Sequence, residues 1–166
     1  TIAINLWLFS AFFLDGYGAA GNILGGRLLG AKNYKKLWKL TKKVNGYNLI
    51  VSVLLIIAGL LFYKQLGLLF NKDALVLSTF YSVFMLVLIS QPFNALAFTF
   101  DSIFKGLGEM KFLRNILLAS TFLGFIPTLL ICTYFDLKLT GIWIALVVWV
   151  AFRALALIIK FRSKYY

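Results

Sequence analysis

The chain has 166 residues, 62% of them hydrophobic and 13% charged, with a mean hydropathy of +0.93 and a net charge of +12. Soluble domains run at about 45–50% apolar and about 25% charged, so this composition excludes an ordinary soluble domain and marks an integral membrane protein. The basic residues cluster at the ends of apolar runs, which assigns them to membrane topology rather than to a nucleic-acid face, while the absence of histidine and a single cysteine, Cys132, exclude a histidine metal site, a histidine-dependent triad and an internal disulfide framework.

Five apolar segments are long enough to cross a bilayer, roughly 2–29, 46–66, 76–104, 113–134 and 138–160, and predict an all-α membrane protein. The sequence opens at Thr1 directly into the first of them, without a charged leader, and so reads as a piece that begins partway through a larger protein. In that first segment, "FFLDGYGAAG" (12–21) sets a carboxylate among small residues. Helical spacing puts Asp15, Gly18, Ala19, Asn22, Gly25 and Gly26 on one face. Gly-xxx-Gly spacing at Gly21/Gly25 and Gly26/Gly30 predicts close helix packing. An ionisable group at this depth marks a functional interior, or else a packing face whose Asp15 bonds to a neighbour. The expectation is that neighbouring helices close over this face around Asp15, sparing it contact with lipid, and that Gly21→Leu damages assembly.

The 30–45 connection carries Lys32, Lys35, Lys36, Lys39, Lys42 and Lys43. Within it, "NYKKLWKLTKKVN" (33–45) spaces Tyr34, Leu37, Trp38, Thr41 and Val44 as one helical stripe, predicting either a short amphipathic helix lying along the membrane interface or a solvated basic loop. The second segment offers only Asn48 and Ser52 as polar residues near one end, and is expected to face lipid. The next connection has Lys64 and Lys72, the one after the third segment Lys105, Lys111 and Arg114, the following one Lys138, and the C-terminal end Lys160, Arg162 and Lys164. Lysine and arginine favour the cytoplasmic side, so the alternation predicts an outside N-terminus and a cytoplasmic C-terminus.

In the third segment Ser90, Asn94, Ala97 and Asp101 recur at four, three and four residues, a polar stripe suited to the wall of an aqueous cavity, with Pro92 inside it as an expected kink. The competing expectation for Asp101 is a pair with Lys105, one turn on. The fourth segment groups Thr121, Gly124 and Thr128 beside Pro127, a second kink. In the fifth, Arg153 is either the partner of a carboxylate or a side chain reaching to the surface. "AFFLD" (11–15) and "AFTFD" (97–101) echo one another, each leading into its acidic residue. No acid–base pair, activated nucleophile or phosphate loop appears, so no enzyme is expected.

The run "FFLDGYGAAGNILGGRLLGAKNYKKL" resembles the second helix of the C-terminal lobe of multidrug and toxin extrusion (MATE) transporters, most closely their DinF-like branch. "QPFNALAFTFDSIFKGLGEMKFLRN" resembles the fourth helix of that lobe and its loop, and "VAFRALAL" the last. The resemblance covers essentially the whole chain. It implies helices 8–12 of a twelve-helix, two-lobe fold, with residues 1–166 as a partial C-terminal lobe. It also implies export of organic compounds by H⁺ or Na⁺ antiport. Asp15 and Asp101 are then the coupling candidates, and Asn22, Ser90, Asn94, Thr121, Thr128 and Arg153 candidates for lining the cavity, with Gly18, Gly21, Gly25 and Gly26 as packing positions. In some branches the residue matching Asp101 contributes to cation binding, whereas the DinF-like branch assigns coupling to an aspartate of the other lobe. The alternatives are a lipid-linked oligosaccharide flippase of the same superfamily, which calls for a more basic cavity, and a non-transporting membrane remnant. Beyond H⁺ or Na⁺ no cofactor or metal is expected. The expected partners are membrane lipid, the N-terminal lobe and small organic substrates, with no nucleic acid, in a multi-pass plasma-membrane protein (the inner membrane of a bacterium). One lobe alone is not expected to transport.

Overall fold

The computed structural model describes residues 2–70 and 73–165; Thr1 and Lys72, used above, lie outside the described residues. The described residues fold almost entirely into helices: α1 (Ile2–Gly30), α2 (Tyr34–Leu61), α3 (Tyr63–Phe70), α4 (Ala74–Gly106), α5 (Met110–Ala119), a π-helical segment (Ser120–Phe125), α6 (Ile126–Tyr134) and α7 (Lys138–Tyr165). Five helices are long and apolar enough to cross a membrane, with α5, the π-helical segment and α6 counting as one, Met110–Tyr134.

Helix ends follow local chemistry. Asn33 caps α2 by accepting from Lys36 N at 3.0 Å, and Asp73 caps α4 by accepting from Leu75 N at 2.8 Å. After α4, Gly108 takes φ +74°, and Glu109 N–H reaches back to Phe104 O at 3.0 Å. This is a left-handed closure that favours glycine. The π-helical segment precedes Pro127, whose missing amide already costs the helix a donor, and Ile126 N–H bonds five residues back to Thr121 O. The bend expected at Pro127 is therefore met by a π-helical widening, while α4 continues as helix through Pro92.

The amphipathic stretch 33–45 is no separate surface helix. It is the start of α2, a rod about 42 Å long at 1.5 Å per residue. Its stripe of Leu37, Thr41 and Val44 is buried against the bundle, with the lysines exposed. About 30 Å of hydrocarbon covers only part of such a rod, so the lysine-bearing turns stand clear of it. Nor does α2 simply face lipid. Leu37, Thr41, Val44, Asn48, Ser52 and Gly59 form a continuous buried face, and Tyr47, Ile50, Val53, Leu54 and Ile57 cover the opposite side.

α4 is the hub, packed against α1, α2 and α7, while α6 and the π-helical segment rest on α7. One apolar cluster (Leu37, Phe100, Ile103, Phe104, Leu157, Phe161) closes the lysine-rich end, with Trp38 stacked on Phe161 at 5.7 Å. A second (Ala3, Phe80, Phe84, Val87, Trp143) closes the other end. The glycines decide how closely α1 and α4 approach. A Cβ on Gly18 would sit 2.6 Å from Ser102 Oγ, and one on Gly26 would sit 2.8 Å from Gly106 O. Cβ atoms on Gly21 and Gly25 would sit 3.1 and 3.8 Å from the Ile103 side chain, and a Cβ on Gly106 would overlap Asn22 O.

At the lysine-rich end, Glu109 accepts from Lys164 and from Tyr165 Oη at 3.3 Å, tying the end of α7 to the α4–α5 turn. The hydrogen bond from Lys164 holds the Glu109 carboxyl below its ordinary 4.5, against a smaller opposing effect of burial. A carboxyl lowered in the folded state contributes stability above its unfolded value and loses it as pH falls through the lower folded value. The expected result is lower amide-exchange protection, taken relative to the intrinsic rate at each pH, at the end of α7 once the pH drops below about 4.5. Glu109→Gln should show the lower protection already at neutral pH.

Candidate functional site

Asp15 lies away from the site. The buried face of α1 runs Ala3, Ser10, Leu14, Gly18, Gly21, Gly25, and Asp15 is exposed beside it with Gly16, Tyr17, Ala19 and Ala20. No described helix closes over Asp15, which stands exposed on this chain. Residues on one helix can share an arc of small side chains, yet the neighbour covers only part of that arc. Here α4 fills the Gly18–Gly21–Gly25 side and stops short of Asp15. Asn22 and Gly26 stand at the edge, half-buried, where the backbone of Asn22 meets Gly106.

The stripe of α4, by contrast, faces inward. Ser90, Asn94, Ala97 and Asp101 are all buried within the bundle of described helices. Ser90 Oγ donates to Val87 O at 2.7 Å and accepts from Asn94 Nδ2 at 3.2 Å. Asp101, 4% exposed, is paired with the guanidinium of Arg153 on α7. Lys105, the alternative partner, is exposed, and Arg153 does not reach for the surface: its side chain is 18% exposed. Small residues make room for the pair, because Ala97 packs on Val150 and Ala154 between α4 and α7.

The pair continues outward. The Arg153 guanidinium lies over the ring of Trp149, 5.6 Å from its centre. Trp149 Nε1 donates to Thr121 Oγ1 at 3.1 Å, at the start of the π-helical segment. Asp101, Arg153, Trp149 and Thr121 thus form one chain of contacts across α4, α7 and the π-helical segment. Thr128 stays outside it, donating to Gly124 O on its own helix at 2.7 Å. Several buried atoms lack a partner: Asp101 Oδ1, Arg153 Nε and Asn94 Oδ1 among them. A buried ion pair offsets its desolvation only when the remaining donors and acceptors are also met, and here they are not.

Sequence reasoning missed three participants. Asn48 of α2 is fully buried and donates through Nδ2 to Leu14 O at 3.0 Å and to Thr99 Oγ1 at 2.6 Å, joining three helices. The signal was there, since an asparagine within an apolar run must find partners in a membrane. Thr99 sits beside the recognised stripe, and Trp149 carries no polar pattern that would mark it. No group of three or more metal-ligating side chains occurs among the described residues.

Comparison with known proteins adds to this geometry. The MatE family model matches residues 1–130. Protein DETOXIFICATION 42 of Arabidopsis thaliana is 26% identical over 156 residues, covering 92% of this chain and 29% of that protein. Protein DETOXIFICATION 45, chloroplastic, from the same plant is 24% identical over 161 residues, covering 93% of the chain and 27% of its own length. Protein DETOXIFICATION 43 is 26% identical over 157 residues, with 93% and 29% covered. The chain therefore spans less than a third of the curated relatives it matches. No solved structure matches it.

Proposed function

The chain belongs to the MatE family, and on that premise we propose that it forms part of the C-terminal lobe of a secondary transporter that exports small organic compounds by antiport against H⁺ or Na⁺. The single observation that carries this reading is the buried Asp101–Arg153 pair. Ionisable groups inside a membrane bundle are expensive and mark ion or substrate pathways. Asp101 supplies the carboxylate on which a coupling cation acts, and the exposed face of α1 around Asp15 is the surface a second lobe would complete. The relatives' name, DETOXIFICATION, is consistent with efflux of unwanted compounds. The setting proposed is a plasma membrane, with the lysine-rich end of the bundle in the cytoplasm, where Lys35, Lys36, Lys39, Lys42 and Lys43 meet anionic headgroups.

The test is efflux from vesicles containing the full-length protein, driven by an imposed H⁺ or Na⁺ gradient. Asp101→Asn should reduce gradient-driven efflux by at least about tenfold at equal abundance, the scale of losing an interaction worth about 1.4 kcal/mol. Asp15→Asn should reduce it less, because no described side chain depends on Asp15. Wild-type protein that moves nothing under either gradient would refute antiport. Asp101→Asn efflux equal to wild type would remove Asp101 from the mechanism.

A further inference from the structure

The Asp101–Arg153 pair has features that a purely structural clasp would lack. Asp101 is buried and Arg153 mostly so, yet each keeps a buried atom without a partner, Asp101 Oδ1 on one side and Arg153 Nε on the other. The arginine also has a second resting place within reach, because its guanidinium already lies 5.6 Å from the centre of the Trp149 ring. An aromatic face holds a guanidinium after it leaves a carboxylate, and does so well where water is scarce. Finally, Trp149 is fastened to Thr121 at the π-helical segment, so a shift of Arg153 is felt where the helix is least regular.

We propose that Arg153 is the lobe's own resident cation at Asp101, a tethered competitor that an arriving monovalent cation must displace, and that Trp149 receives it when it leaves. The proposal rests on the transport reading and adds a residue and a role to it. Charge balance supplies the logic. Arginine keeps its charge in proteins. While Arg153 stays on it, the Asp101 carboxylate is already neutralised and has little attraction left for a second cation. Exchange of one cation for the other keeps the carboxylate neutralised throughout. The release of Arg153 onto Trp149 then pulls on the Trp149–Thr121 hydrogen bond. That bond sits at the first turn of the π-helical segment, whose extra residue per turn gives α5 and α6 a place to shift register. Occupancy at Asp101 is thereby converted into movement of the fourth span against α7.

The test reads how often Asp101 is free. A membrane-permeant carbodiimide modifies a protonated carboxyl whose ion pair is open, so the turnover arm uses an H⁺ gradient, and mass spectrometry of the Asp101 peptide gives the rate, which scales with the fraction of time Arg153 is displaced. Full-length protein in vesicles is compared at rest and under an imposed gradient with substrate, as wild type, Arg153→Gln and Arg153→Lys. Wild-type Asp101 should be protected at rest and modified at least about tenfold faster during turnover. Arg153→Gln should be modified at the fast rate already at rest, independent of the gradient. Arg153→Lys keeps the charge and hence membrane insertion, but loses the planar fork, and should lie between the two. It decides the matter if Arg153→Gln fails to reach the membrane. Equal resting rates in wild type and whichever variant inserts would overturn the proposal, as would a wild-type rate unchanged by turnover in vesicles that do pump. Vesicles that pump nothing while the variants still expose Asp101 would instead overturn the transport reading and leave Arg153 as the resident cation.

Discussion

Asp101→Ala is expected to destabilise the bundle by about 3–5 kcal/mol, the cost of leaving one partner of a buried ion pair alone. The stranded group is Arg153, whose guanidinium cannot shed its charge. Trp149 offers a face for it, but a ring does not replace a carboxylate. Arg153→Gln should cost less, since a carboxyl can take up a proton and become neutral. The double variant Asp101→Asn/Arg153→Gln should be closer to wild type than Asp101→Ala, because both charges are gone and the amides can bond to one another. Denaturant unfolding in detergent of Asp101→Asn, Arg153→Gln and their double variant forms the cycle that isolates the pair. If Asp101→Ala unfolds with wild type, the pair contributes no stability, and the burial of both groups would need another cause. The cost of truncation does not conflict with a pair that opens during transport, because an incoming cation takes the place that alanine leaves empty.

The second large effect is expected at Gly106. Its missing Cβ would overlap Asn22 O, which is backbone and cannot rotate away, and Gly26 approaches the Gly106 carbonyl from the same side. Gly106→Ala should therefore cost about 1–3 kcal/mol by forcing α1 and α4 apart. The loss should show as lower membrane abundance as well as lower unfolding stability, because the α1–α4 crossing is the most extensive contact in the bundle. Gly16→Ala and Gly46→Ala are the matched controls. Neither Cβ would meet anything within 4 Å, and replacing a mid-helix glycine by alanine is favourable by roughly 0.5–1 kcal/mol. A Gly106→Ala protein as stable as these controls would mean that the helices do not touch where they cross.

Within the sequence, composition and the spacing of apolar runs determined the class of molecule. Five spans and an all-helical fold follow from runs of about 20 apolar residues, because in hydrocarbon the backbone must satisfy itself locally. The glycine spacing of the first helix and the polar stripe of α4 were equally legible, since a 3.6-residue period is a property of the chain alone. What the sequence left undecided was which neighbour lies on which side. The small-residue arc of α1 is wider than the part that α4 and α2 fill, so Asp15 fell outside the packed face although it shares the spacing of residues that pack. The lysine-flanked stripe Leu37–Thr41–Val44 reads as an interfacial helix or a basic loop, and only α1 and α4 beside it turn the stripe into a packed face. The pairing of Asp101 with Arg153 was one of several open alternatives, because the two are 52 positions apart and no local pattern links them. Tertiary structure decided it by setting α7 against α4 over Ala97, Val150 and Ala154, residues small enough to let a carboxylate and a guanidinium meet inside the membrane.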